Sequence, residues 1–253
     1  MASKEKTELR LDKYLADMGV ETRSKVGKLI RKGAVTVNGE MVRNAAAKVN
    51  TKTDVVKVAG QTVTHTTYFY YMLNKPQGVI TSTEKGPTPT VMDVLVEAGI
   101  DCPAFAELAP VGRLDKDTEG LLLITNDGGL NHRLLSPNSH VDKLYYAEVD
   151  GEVTEGDIKA FEKGMNLGDF TSKPAKLVVK ESAPGRAKTL VTISEGKFHQ
   201  IKRMFEKCGK EVTFLKRLKM GTLELDPTLE PGEFRELTRE EIENVVLLRK
   251  STI

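Results

Sequence analysis

"VGRLDKDTEGLLLITNDG", residues 111–128, sets a dense charge cluster hard against a solid apolar run. Arg113, Asp115, Lys116, Asp117 and Glu119 crowd its first half, and Leu121 to Ile124 carry no polar group at all. A short unbroken apolar run suits a strand buried in a core, so the segment predicts a central strand with a charged loop at its mouth. Its neighbours decide the class. Strand-like segments follow one another: "YFYYMLN" (68–74), "GVITST" (78–83), "KLYYAEV" (143–149), "AKLVVKE" (175–181), "KTLVTIS" (188–194) and "EVTFLKRLKMGTLEL" (211–225). Helical patterns are fewer. "TPTVMDVLVEAG" (88–99) has an apolar face and a terminal glycine. "TEGDIKAFEKGM" (154–165) opens on a Thr154/Asp157 pair resembling a capping box, and "TREEIENVVLLRK" (238–250) on Thr238/Glu241. "KFHQIKRMFEKCG" (197–209) aligns Phe198, Ile201, Phe205 and Cys208 on one face. Strands in runs with interspersed helices predict an α+β fold with a mixed, mainly antiparallel sheet.

Bulk properties exclude several classes. The chain has 253 residues, 39% hydrophobic and 29% charged, enough for a real core in one large or two unequal domains. No run approaches the ~18 apolar residues of a membrane span, and the start, MASKEKTELR, lacks the apolar centre of a secretory signal. Cys102 and Cys208 are too few for a disulfide framework and stand in no metal-ligand spacing. A cytoplasmic protein with free thiols is expected, with no metal.

The net charge of +2 is unevenly spread. Residues 1–65 hold 13 Lys/Arg against 7 Asp/Glu, and the remainder holds 25 against 29. A basic module on a mildly acidic body points to a polyanionic partner. From Leu9 the pattern is helical, with Leu11, Leu15 and Met18 following and Gly19 placed to stop it. A second helix, capped by Thr22 or Ser24, buries Val26, Leu29 and Ile30 and ends at Gly33. "AVTVNGEMV" turns at Asn38-Gly39, a strong hairpin signal, and "DVVKV" (54–58) supplies a third small strand. The second helix carries Arg23, Lys25, Lys28, Arg31 and Lys32, and nothing from Arg23 to Val37 is acidic. A solvated face is the bland alternative; contact with RNA phosphates is the functional one. The stretch 9–58 resembles the S4 RNA-binding domain, whose second helix and following turn lie on structured RNA. The expected division is an S4-like domain over 1–60, a polar linker over 61–67 within "GQTVTHTT", and a larger domain over 68–253.

Taken locally, Gly112-Arg113-Leu114-Asp115 points Arg113 and Asp115 one way and Leu114 inward. Taken alone, the motif reads more readily as a plain Arg–Asp pair, and Asp117 and Glu119 suit a solvated loop equally well. "SEGKFHQIKRMF" (194–205) gathers His199, Lys202 and Arg203 on the polar side of a helix. "KLYYAEV" sets Tyr145 and Tyr146 on opposite sides of a strand, one for the core and one for a pocket.

"MLNKPQG" (72–78), "GRLDKDTEGL" (112–121), "KLYYAEV", "GKFHQIKRM" (196–204) and "LEPGEFRELT" (229–238) occur in this order in the pseudouridine synthases. With its S4-like start the chain resembles the RsuA-type branch over roughly residues 9–247, nearest to the enzymes of small-subunit (16S) ribosomal RNA. The resemblance implies isomerisation of uridine to pseudouridine with no metal or diffusible cofactor. It implies a partner that is structured ribosomal RNA or a pre-ribosomal particle, no membrane, and a monomer. It makes Asp115 the essential aspartate, as nucleophile or base near the sugar. Lys202 matches the position whose cation keeps that aspartate charged in a dry pocket; many relatives have arginine there, so Arg203 stays a rival. Tyr145 matches the tyrosine that stacks on uracil, with Tyr146 as its alternative. Arg113 matches a residue that holds the flipped nucleotide or fills its place, and Asn74, Lys75 and Gln77 are expected on the RNA-facing rim. The alternatives are the same chemistry on large-subunit (23S) RNA, a non-catalytic RNA-binding assembly factor, and a hydrolase pairing Asp115 with Asp117.

Overall fold

The computed structural model describes residues 8–18, 20–51, 53–63, 68–136 and 141–247. The chain divides into two units, Met1–Thr67 and Tyr68–Ile253. Among the described residues no helix is long and apolar enough to cross a membrane.

In the first unit, β1 (Glu8–Arg10) leads into α1 (Leu11–Asp17), α2 (Arg23–Arg31), β2 (Val35–Val37), β3 (Glu40–Met41), β4 (Lys48–Asn50), β5 (Val56–Val58) and β6 (Gln61–Val63). The two helical apolar stripes meet. Leu11, Leu15, Val26 and Ile30 are fully buried, together with Val35, Val49 and Val56 from the strands. Asn38 and Gly39 take φ of 53° and 88° and close the β2–β3 hairpin. Two expectations need correction. Leu9 is not helical: β1 pairs with β4, so the helix begins two residues later. The polar stretch after Gly60 is not all linker. Ala59 and Gly60 both adopt positive φ, and Gln61–Val63 returns as a strand along β5. Gln61 and Thr62 are exposed there, so an edge strand read as a loop. Gly19 and residues 64–67 lie outside the described residues.

The second unit contains β7 (Tyr70–Lys75), α3 (Val91–Glu97), β8 (Ala109–Pro110), β9 (Glu119–Thr125), α4 (Gly128–Leu135), β10 (Lys143–Val149), α5 (Glu155–Lys163), β11 (Lys176–Ala183), β12 (Arg186–Ile193), α6 (Gln200–Lys207), β13 (Val212–Met220), β14 (Leu223–Glu224), β15 (Phe234–Glu236) and α7 (Arg239–Leu247). Its sheet runs β11-β12-β10-β13-β9-β7-β15, with β14 beside β13 and β8 beside β9. Every pairing is antiparallel except β9 with β13. The fold is α+β, as the order of elements implied.

The position of β9 explains its apolar run. Leu122 and Ile124 share one core with Leu95 of α3, Phe161 of α5 and Phe205 of α6. Leu121 and Leu123 share another with Leu130 and Leu134 of α4 and Val245 of α7. All four β9 side chains are fully buried, and each such burial contributes ~1.5–3 kcal/mol relative to exposure. A strand covered on both faces has no polar position to alternate with. The capping boxes form at Thr154/Asp157 and Thr238/Glu241, and a further one at Thr90/Asp93 starts α3.

Three further expectations fail. "GVITST" (78–83) is no strand; only Ile80 makes a single bridge, to Thr90. The run 211–225 is two strands, broken at Gly221. Helix α4 was not expected because it opens on two glycines; Asp127 starts it by accepting the Leu130 N–H at 2.8 Å.

Candidate active site

The charged loop between β8 and β9 is fastened at several points. The Thr81 hydroxyl donates to the Leu114 carbonyl at 2.9 Å and accepts the Leu114 N–H at 3.1 Å. Gly78 N–H donates to the Lys116 carbonyl at 2.8 Å, and Thr118 N–H to the Asp115 carbonyl at 3.1 Å. From below, the Lys75 ammonium donates to the carbonyls of Pro76 and Thr118, each at 2.9 Å, and of Lys116 at 3.4 Å. Leu114 is buried, Arg113 exposed and Asp115 half-buried. Burial pulls the Lys75 pKa down to about 8, while the charges of Asp115, Asp117 and Glu119 act to raise it. Asn74 and Lys75 are therefore not on an RNA-facing rim: both are fully buried. They lie in β7, between β9 and β15, and Asn74 donates to the Leu229 carbonyl at 2.7 Å. Gln77 remains exposed.

Asp115, Tyr145 and Lys202, from a loop, a strand and a helix, line one cavity of about 440 Å³, with Arg113, Phe198 and His199. The Lys202 Nζ stands 3.9 Å from Asp115 Oδ2, but 2.5 and 2.7 Å from the two oxygens of Asp117. Lys202 thus spans both acids. Burial acts to raise the Asp117 carboxyl, and Lys202, with a backbone hydrogen bond and the charge of His199, outweighs it, holding the group below its ordinary range. Asp117 does not line the cavity and both its oxygens accept from Lys202, an arrangement that leaves Asp115 as the acid on the cavity wall. Arg203 is not the partner of Asp115. It bonds to Asp169 and the Leu167 carbonyl and lies 5.0 Å over the Phe170 ring, because the position after Lys202 faces the 167–170 loop.

Tyr145 is 7% exposed and faces the cavity. Tyr146 points the other way, donates to Glu148 at 2.6 Å and packs edge-on against Phe214. Burial and the Glu148 carboxylate push its pKa up to about 12. His199 is in the left-handed region, φ 50°, with Nε2 3.7 Å from Asp115 Oδ1. Phe198 overturns the expectation that it packs inward. Helix α6 starts only at Gln200, so Phe198 falls outside its periodicity. It is 73% exposed and stacked on His199, ring centroids 3.8 Å apart. Arg113 lines the same cavity and has no ion pair among the described residues. Thr81 and the holding role of Lys75 went unseen in the sequence, where "GVITST" reads as a strand and Lys75 as part of the rim.

In the first unit the basic helix is partly neutralised from outside its own sequence. Arg23 pairs with Asp12 at 3.3 Å and Lys25 with Glu21 at 3.1 Å. Lys28, Arg31 and Lys32 have no acidic partner among the described residues, and they cluster in the last turn and C-cap of α2.

Two family models match the chain: RNA pseudouridylate synthase over residues 69–207 and S4 domain over residues 9–56. The "Uncharacterized RNA pseudouridine synthase YtzG" of Bacillus subtilis (strain 168) is 44% identical, over 92% of this chain and 97% of its own. "Ribosomal small subunit pseudouridine synthase A" of Escherichia coli (strain K12) is 40% identical, over 94% of this chain and 100% of its own. A crystal structure of a pseudouridylate synthase superposes with a TM-score of 0.66 at 38% identity, covering 94% of this chain and 99% of that one.

Proposed function

The chain belongs to the RNA pseudouridylate synthase family, and on that premise we propose that it converts one uridine of small-subunit (16S) ribosomal RNA to pseudouridine. The observation that carries this is the convergence of Asp115, Tyr145 and Lys202 on one cavity from distant parts of the chain. The reaction breaks the N1–C1′ bond, turns the uracil and joins C5 to C1′; the C5 proton leaves and N1 gains one. Atoms and electrons balance within the nucleotide, so the chain's own side chains suffice.

Asp115 is the group that acts on the nucleotide as nucleophile or base, held by the loop fastenings on Leu114, Lys116 and Thr118. Lys202 keeps positive charge beside it. Tyr145 forms the floor on which uracil stacks. The target base must first leave its stack, at a cost of a few kcal/mol; Arg113, exposed and without an ion pair among the described residues, holds the flipped nucleotide or its former place. The S4-like unit adds phosphate contacts through Lys28, Arg31 and Lys32, and the relatives named for small-subunit RNA favour that substrate over the large-subunit one. The same proposal includes a cytoplasmic monomer working on structured RNA or a pre-ribosomal particle.

Asp115→Asn is expected to abolish pseudouridine formation while RNA binding persists. Pseudouridine mapping of ribosomal RNA from cells lacking the protein is expected to show one site lost in the small subunit. A variant that still forms pseudouridine, or an unchanged map, refutes the assignment.

A further inference from the structure

A second cavity, of about 320 Å³, adjoins the first and shares Arg113, Tyr145, Gly196 and Lys197 with it. Its other charged walls are Lys143, Lys173, Arg217 and Glu195. Arg217 is directly opposite Tyr145 across the β10–β13 pair, just past an irregularity in the register, and Lys143 precedes Tyr145 by two residues on the same face.

Arg217 is in an unusual position. It is 2% exposed, its Nε donates to the Leu121 carbonyl at 2.7 Å, and its Nη2 has neither partner nor water access. A guanidinium cannot shed its proton, and a buried charged donor left unpaired is costly. Lys143 is half-buried beside it, with its pKa pulled down to about 8 by burial and then by Arg217. Glu195, the only acid on these walls, is already engaged: one oxygen accepts from Gln200 Nε2 and from the Lys173 N–H, each at 2.8 Å. Five cations, Arg113, Lys143, Lys173, Lys197 and Arg217, thus line a cavity with that one acid, and the charges of Asp142 and Glu195 act on Lys143 against Arg217 without lifting its pKa back to the ordinary value. The family's uracil stack on Tyr145 does not require either Lys143 or Arg217.

We propose that this second cavity binds a backbone phosphodiester of the RNA adjacent to the flipped uridine, with Arg217 and Lys143 as its ligands. The inference rests on the proposed reaction at Asp115 and adds to it a phosphate subsite on the far wall of Tyr145. An anion there lies against a wall that carries both Arg217 and Lys143 and relieves the repulsion between them. It also fixes the flipped nucleotide by its backbone, independently of base identity.

The test uses the full-length protein and a small-subunit RNA fragment containing the target uridine, with the phosphate on either side replaced in turn by a neutral methylphosphonate. For one of the two positions, affinity is expected to fall about tenfold, as for loss of a charge-assisted hydrogen bond. Lys143→Gln on unmodified RNA is expected to do the same, and to lower the slope of log K against log salt by about 0.7–0.9. Combining that variant with that methylphosphonate is expected to cost no more than either alone. Arg217→Gln is a second variant, and because Lys143 is half-buried its own variant carries the test if the other fails to fold. Equal affinity for all RNAs overturns the inference. So does protection of the wild type against heat by inorganic phosphate, absent in Lys143→Gln, when methylphosphonates have no effect; the cavity is then a free-phosphate site. If wild type binds the RNA without forming pseudouridine, the reaction at Asp115 fails, and the affinity comparison still decides the phosphate subsite.

Discussion

Replacing Lys75 by methionine separates what holds the fold from what holds the site. The ammonium is fully buried and protonated at neutral pH, with a pKa near 8 against an ordinary 10.5. That difference of ~2.5 units, at about 1.36 kcal/mol per unit, is ~3 kcal/mol of destabilisation at pH 7. The folded pKa lies below the unfolded one, so the unfolded chain binds more protons between about pH 8 and 10.5. Stability from this group therefore rises with pH across that window; the penalty is complete below about pH 8 and absent above about pH 10.5. Lys75→Met removes the penalty but leaves the Pro76 and Thr118 carbonyls without this donor, a cost of ~1–3 kcal/mol each. The two effects oppose each other, and neutral-pH stability is expected within ~3 kcal/mol of wild type. Catalysis is not expected to be spared. The loop that carries Asp115 loses its support from below, and displacement on the order of 1 Å costs about a hundredfold in rate. Urea unfolding at about pH 7 and about pH 9.5 tests the first half: wild type gains ~2 kcal/mol over the variant between the two. Single-turnover pseudouridine formation on a ribosomal RNA transcript tests the second. Parallel stability curves, or a wild-type rate in the variant, refute the reasoning.

Three other perturbations report on separate links. Phe198→Ala removes an exposed ring at the cavity mouth; RNA affinity is expected to fall by the ~1–3 kcal/mol of one base stack, with an unchanged thermal melt, and undiminished affinity means the ring touches no base. Lys28→Ala combined with Arg31→Ala is expected to reduce the salt slope of RNA binding by about 0.7–0.9 for each phosphate no longer neutralised, whereas Lys25→Ala, already paired with Glu21, changes it less; equal effects contradict the assignment. Gly120→Ala puts a Cβ 2.3 Å from the Arg217 carbonyl oxygen at φ +102°, and at ~3 kcal/mol the melting temperature is expected to drop by roughly 6–12 °C. A melt within a degree of wild type shows that the β9–β13 approach can open without cost.

Most of the fold was legible where local pattern and tertiary demand agree. The Asn38-Gly39 turn, the capping pairs at Thr154 and Thr238, and the apolar run of β9 each state a backbone requirement in residue types alone. The failures share one cause. "GVITST" has strand-forming residues, but Thr81 spends its hydroxyl holding Leu114 and the segment never joins the sheet. Helix α4 begins with two of the poorest helix formers, and the burial of Leu130 and Leu134 against β9 overrides them. In both cases an interaction distant in sequence outweighs propensity, and nothing in the window itself records it.

The cations of the site show why motif and geometry part company. Lys75, Arg113, Lys202, Arg203 and Arg217 are equivalent in a charge count, yet five different environments give them five different tasks. Lys75 is enclosed by carbonyls and can only support the loop. Arg203 is consumed by Asp169 and Leu167. Lys202 is divided between a surface acid and Asp115, so its point charge reaches both, where a planar guanidinium would favour one bidentate partner. Arg113 and Arg217 both line the second cavity, one exposed and one buried with an unfilled donor. Which cations meet the substrate is thus decided by subtraction: those whose hydrogen bonds the fold has already filled are structural, and those with unfilled donors facing a cavity are available to RNA. The partners doing that filling lie as far away as Leu121 for Arg217 and Leu167 for Arg203, a relation that spacing along the chain cannot express.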